Sequence, residues 1–300
     1  MAKRRCKGAF VRIEFPDKRD TLPPNTPALL KEAAEFGVLR AHSIWKMSKR
    51  DAIGRITYIE ISDETFREDR ERFLEIADGN TGLFHLLLSV FFTKIHQEIE
   101  PRASAHKTRS RNEYLVAGMA QREFSQVCLT LTEKDADTIP IVDSAQFGVN
   151  PHIWRTAFAG GRSVARVISA FRHRGAEIFF PIAYIDIQGR IDLLVRFPSN
   201  GLGLCIQVKT VHKLSRIRYR LIPEVSFHHR NELTKNDQHF LSGITEFRNQ
   251  NNGIWLPLEI EIGNIAYTHQ TYIDPPAGIM RWFDRMILDL NEWAKSPVTP

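Results

Sequence analysis

The chain alternates between two hydrophobic periods, one near 3.6 and one near 2, and the two predict a mixture of helices and strands. In the first half, AFVRIEF (9–15) and ITYIEIS (56–62) alternate as strands do. PPNTPALLKEAAEF opens a helix after a proline-rich turn. DETFREDRERFLEIADG predicts a helix with Asp63 as N-cap and acids in its first turn, where the helix dipole favours them. GLFHLLLSVFF (82–92) is apolar all round and reads as a buried helix running to about Glu100. A basic loop, PRASAHKTRSRNE, and a helix over 113–127 follow, and the turn-rich TEKDADTIPIVDSAQFGVNP suggests a boundary. In the second half, GGRSVARVISAFRHRG (160–175) places Val164, Val167, Ile168 and Phe171 at helical spacing. Two apolar strands, 190–197 and 202–210, flank Ser-Asn-Gly. A helix is expected from about Lys235 to Arg248, then the strands GIWLPLEIEIG and NIAYTHQTYID, then an amphipathic helix carrying Ile279, Trp282, Phe283, Met286, Ile287 and Leu290.

The pair of strands around Asn200 and Gly201 carries the chemistry. Asn-Gly favours a two-residue type I′ turn. That turn pairs Phe197 with Leu204, Val195 with Ile206 and Leu193 with Val208, an apolar face of three cross-strand pairs. The same register sets Asp192 opposite Lys209 on the other face, with Gln207 beside it. A carboxylate, an amide and an ammonium then share a small area of sheet. A solvated cross-strand ion pair is the plain structural account.

Asp, a hairpin turn, then apolar-Gln-apolar-Lys (Asp192, Gln207, Lys209 within GRIDLLVRFPSNGLGLCIQVKT) resembles the PD-(D/E)XK nuclease superfamily in its Gln-X-Lys variant, over about residues 150–275. The resemblance implies an α/β (α+β) fold with a restriction-endonuclease-like core: a helix, a three-strand meander, a helix and further strands. It implies a metal-dependent endonuclease that hydrolyses phosphodiester bonds in DNA. Mg²⁺ or Mn²⁺ would be bound by Asp192, Gln207 and the backbone carbonyl of Val208, with Lys209 orienting water or offsetting developing charge. A catalytically silent module that binds nucleic acid on the same fold is the alternative. The chain departs from the family at one point. No acid lies on the 160–175 helix, where Arg162 and Ser163 stand in place of the usual Glu. Glu177, Asp186, Glu224 and Asp237 are the candidate substitutes. Asp186 is expected on the face opposite Asp192.

Composition narrows the classes. Of 300 residues, 43% are hydrophobic and 25% charged, the balance of a globular protein, and the net charge of +6 permits a nucleic-acid partner. Lys213, Arg216, Arg218 and Arg220 directly follow the motif strand and could track a phosphate backbone. Lys3, Arg4, Arg5 and Lys7, and Arg102, Lys107, Arg109 and Arg111, read as solvated surface. Ser163, His229 and Asp237 are secondary candidates for the site, His229 sitting in a histidine-rich stretch with His228 and His239. Three scattered cysteines without ligand spacing argue for a reducing cytoplasm and against a zinc site. No apolar run approaches the roughly 20 residues that span a bilayer, so no membrane partner is expected. A homodimer is left open. The expected division is an α/β region of unknown role over 1–148 and the nuclease-like domain over 149–300. No Gly-rich phosphate loop and no Gly-X-Ser-X-Gly motif is present, which excludes a nucleotide-driven motor and a serine hydrolase of that type.

Overall fold

A computed structural model describes residues 10–13, 15–50, 52, 56–59, 61–105, 113–181, 190–211, 218–222, 233–251, 255–263 and 277–295. The chain divides into two units, residues 14–162 and residues 1–13 with 163–300. The fold is mixed α/β.

The first unit is mainly helical. It contains α1 (Thr26–Met47), a small ribbon of β2 (Lys49–Arg50) and β3 (Ile56–Tyr58), α2 (Arg67–Ala77), α3 (Thr81–Ala105), α4 (Glu113–Thr130) and α5 (Glu133–Thr138). The all-round apolar run predicted as a buried helix is the middle of α3. Leu86, Leu87, Val90, Phe91 and Phe92 are all buried there. Phe91 and Phe92 meet Phe66 edge to face at 5.9 and 5.1 Å, an arrangement favoured by ring quadrupoles. Asp63 is not the N-cap of its helix. Ser62 takes that place in a reciprocal capping box with Thr65, and residues Asp63–Phe66 form a 3₁₀ turn before α2. Inside this unit Glu123 of α4 is buried between Arg70 of α2, at 2.9 Å, and His85 of α3, at 2.7 Å.

Helix α6 (Pro151–Arg172) begins nine residues before the glycine pair that looked like its start. Gly160 and Gly161 lie inside it, where α4 comes close. A Cβ on Gly161 would stand 2.5 Å from Phe124 Cβ. The pair therefore marks a helix contact rather than a helix end.

The second unit is built on a six-stranded sheet in the order β1-β4-β5-β6-β8-β7. The strands are β1 (Phe10–Arg12), β4 (Glu177–Pro181), β5 (Leu193–Arg196), β6 (Gly203–Val211), β7 (Arg218–Leu221) and β8 (Trp255–Gly263). β4, β5 and β6 form an antiparallel meander, β8 runs parallel to β6, and β7 closes the edge antiparallel to β8. α7 (Lys235–Gln250) precedes β8, and α8 (Ala277–Lys295) ends the described chain. Alternation along the strands separates two faces. Leu194, Cys205, Ile222 and Trp255 pack with Phe240, Ile244 and Phe247 of α7. On the other face Phe171 of α6 touches Phe197 of the hairpin and Phe283 of α8, and Tyr219 of β7 touches Trp282.

The hairpin register differs from expectation by two residues. Leu193 pairs with Ile206, Leu194 with Cys205 and Val195 with Leu204. A type I′ turn needs positive φ at both central residues. Gly201 has it, at 71°, but Asn200 does not. Instead the Gly201 N–H donates to the Phe197 carbonyl at 2.9 Å, and the Asn200 side chain accepts from Leu202 N–H. The turn is four residues long. A shift of two preserves the period-two alternation within β6, so Gln207 and Lys209 still share a face. Asp192 lies just before β5 where the ladder is irregular: its N–H bonds to the carbonyl of Ile206, the residue already paired with Leu193.

Candidate functional site

Asp192 stands one residue before β5. Its N–H donates to the Ile206 carbonyl at 2.8 Å, and its Oδ2 accepts the Val208 N–H at 2.6 Å. The side chain thus takes an acceptor position next to the ladder, which fixes the carboxylate against β6. Two residues earlier Arg190 holds a left-handed backbone, φ 51°, a conformation that disfavours non-glycine residues. Its guanidinium donates to Asn236 Oδ1 in the first turn of α7 at 2.6 Å. Burial pushes the Asp192 carboxyl up to about 7, against the opposing pulls of the Val208 N–H and the Lys209 ammonium.

Gln207 has a buried Oε1 with no hydrogen-bond partner among the described residues. An unpaired buried polar atom costs about 1–3 kcal/mol, so such an atom calls for an explanation. Cys205, two residues along on the same face, lies within the α7 layer, and burial pushes its thiol well up. It packs there as a small core thiol.

The pattern of pairing extends the row across the sheet. Gln207 aligns with Glu259 of β8, and Glu259 aligns with Arg220 of β7. Lys209 forms an ion pair with Glu259 Oε2, and Glu259 Oε1 lies 3.2 Å from Arg220. Arg220 also donates to both oxygens of Asp237, at 2.8 and 3.3 Å. Burial works to raise the Asp237 carboxyl, but hydrogen bonds from Arg220 and Thr234 outweigh it and hold it below the usual range. The bond to Asp237, supported by Glu259, holds Arg220 still more firmly protonated. Asp237 completes a capping box with Thr234 at the start of α7. Two cations, Lys209 and Arg220, thus balance two acids, Glu259 and Asp237. Asp192 makes no ion pair among the described residues, though the Lys209 charge reaches it.

The remaining candidates are distributed as follows. Arg218 is exposed, aligned with Glu261, on the same face as Arg220. Ser163 is buried and accepts the Thr210 hydroxyl at 2.8 Å, on the face away from Lys209. Glu177 sits on β4 aligned with Arg196 and 3.6 Å from Arg12, at the other end of the meander. Lys213, Arg216, His229, Asp186 and Glu224 lie outside the described residues.

Glu259 is the residue that sequence reasoning passed over. In LEIEI it looks like the outward side of an alternating strand. Only the parallel pairing of β8 with β6 sets it beside Gln207. Among the described residues no group of three or more His, Cys, Asp or Glu side chains is placed to hold a metal ion. What the site offers is an all-oxygen pair, the Asp192 carboxylate and the orphaned Gln207 oxygen. That donor set fits a hard cation completed by water and phosphate rather than a protein cage. Among the described residues no helix is long and apolar enough to cross a membrane. No family model, no curated protein and no solved structure matches this chain.

Proposed function

We propose that the chain is a metal-dependent endonuclease acting on DNA, with Asp192, Gln207 and Lys209 as its catalytic residues. The observation that carries the reading is the Asp192 carboxylate bonded to the Val208 N–H of β6, on a strand that also bears the Gln207 amide oxygen, without a donor among the described residues, and the Lys209 ammonium, whose charge reaches Asp192. The order of α6, the β4-β5-β6 meander, α7 and a β8 parallel to β6 supports the likeness to the restriction-endonuclease core. Asp192, Gln207 and the Val208 carbonyl would hold Mg²⁺ or Mn²⁺, which supplies Lewis acidity and an activated water. Asp192 brings the negative charge, and the Val208 N–H fixes its orientation. Gln207 contributes a neutral oxygen. Lys209, a third exposed at its side chain, offers N–H donors to water or to a phosphate oxygen. Arg218 and the outer edge of Arg220 present positive charge to a nucleic-acid backbone.

The test is cleavage of supercoiled, linear and single-stranded DNA in Mg²⁺ or Mn²⁺. Wild-type protein should cut, and EDTA should stop it. Asp192→Ala and Lys209→Ala should each lose at least about 100-fold in rate while keeping the wild-type circular dichroism spectrum. Full activity in both variants would remove this site from consideration. A second reading, a silent nucleic-acid-binding module, draws on the Lys209–Glu259 pair, which offsets the charge a nuclease would use. Absence of cutting together with salt-sensitive DNA binding would favour it.

A further inference from the structure

We infer that Glu259 is a positioning residue for Lys209, supplying from β8 the acid that α6 lacks. What Lys209 does rests on the nuclease reading above, whereas the way it is held rests on geometry. A lysine ammonium on a four-carbon stem has many rotamers and no fixed direction. Here its partner is a carboxylate whose side chain is only 4% exposed. That carboxylate is in turn held on its other oxygen by Arg220. Arg220 forks onto both oxygens of Asp237, and Asp237 is fixed by the Thr234 capping box. A run of charged contacts therefore leads from the first turn of α7, through β7 and β8, to Lys209 on β6, its last step an ion pair rather than a hydrogen bond. The ammonium's N–H donors are thus left for water and substrate. The Lys209 side chain, 32% exposed, stays reachable from solvent. Stability alone gives a weak account of this chain, because apolar residues often replace buried ion pairs without loss.

The experiment uses the full chain with Glu259→Gln, which keeps the shape and removes the charge. One readout is acylation of Lys209 by an amine-reactive ester, followed by mass spectrometry with the other lysines as internal references. Acylation of Lys209 should rise severalfold in the variant and remain at the reference rate elsewhere. The other readout is steady-state DNA cleavage. The turnover number kcat should fall about 10- to 100-fold, with KM for DNA nearly unchanged, as expected when a catalytic group is misplaced rather than substrate binding lost. If Glu259→Gln does not fold, Arg220→Met, at a side chain about half exposed, loosens the same carboxylate and should raise Lys209 acylation and lower kcat, with KM rising as well because Arg220 also faces the DNA backbone. Unchanged Lys209 acylation overturns the inference. So does an unchanged kcat in an enzyme that Lys209→Ala inactivates. If wild-type protein does not cut DNA at all, the nuclease reading fails first and takes this role for Glu259 with it. That result is distinct from cutting that ignores Glu259.

Discussion

Asp192 is an acid without an ion pair among the described residues, and two predictions follow at its scale. Its folded-state carboxyl titrates near 7 rather than near the ordinary 3.8. The folded chain therefore binds that proton more tightly than the unfolded chain does. In metal-free protein, stability contributed here is full at low pH and is lost as pH rises from about 4 through about 7. Thermal melts in EDTA should show that slope, and Asp192→Asn should flatten it. A cation at the site favours the ionised form, so added Mg²⁺ should raise Tm more at about pH 8 than at about pH 5.5. An equal rise at both would argue that Mg²⁺ does not meet Asp192. The second prediction concerns Gln207. Because its Oε1 has no donor to lose among the described residues, Gln207→Glu should leave the fold intact and tighten Mg²⁺ binding by calorimetry. Unfolding would instead mark the site as intolerant of a second uncompensated charge.

At the scale of elements, most of the helices and strands were legible, because period and caps are local properties. The strand β8, the helix over Lys235–Gln250 and the buried course of α3 follow directly from their hydrophobic spacing. What was not legible depends on partners far along the chain. The Ser-Asn-Gly turn was read from its most favoured type, yet the actual turn keeps Asn200 out of the left-handed region and lengthens by two residues. Asp63 lost the cap to its neighbour Ser62, whose hydroxyl accepts the Thr65 N–H. Gln207 and Lys209 could be placed on one face because parity survives an even slip, whereas the irregular pairing just before β5 decides where Asp192 lies. Glu259 could not be placed beside them, because nothing local says which strand β8 joins. Gly203 carries a further long-range message. A Cβ there would stand 2.5 Å from the Trp255 ring, so the glycine admits that ring against β6. Gly203→Ala should cost about 1–3 kcal/mol in urea unfolding. No loss would mean that Trp255 can turn aside freely.

At the scale of the molecule, two buried carboxyls, Glu123 in one unit and Asp192 in the other, carry opposite responses to acid. Burial works to raise Glu123, but Arg70, His85 and Arg122 outweigh it and hold its carboxyl well below the usual range. A depressed carboxyl contributes stability that is present above its ordinary value near 4.5 and is lost as pH falls below it. Acid should therefore remove stability around Glu123 and add it around Asp192, while Asp69 and Asp237 act in the opposite sense within their own units. Hydrogen exchange read by mass spectrometry at about pH 4 and pH 7, with rates corrected for intrinsic exchange, should show α4 losing protection in acid and β5 gaining it. Arg70→Ala should weaken the first unit by about 1–3 kcal/mol, since it removes one charged hydrogen bond from a buried carboxylate that keeps His85 and Arg122. Parallel behaviour of α4 and β5 would contradict the assigned signs.

The four-residue tip of the β5-β6 hairpin, Pro198 to Gly201, is exposed throughout and lies some 20 Å of strand away from Asp192. It can therefore serve as a handle. An inserted residue there is absorbed by the loop, because the pairing of β6 with β8 and the burial of Leu204, Ile206 and Val208 fix which side of the strand faces inward. An insertion carrying a dye would report on the protein without touching its chemistry. The hairpin tip thus offers an attachment point that leaves the candidate site as it is.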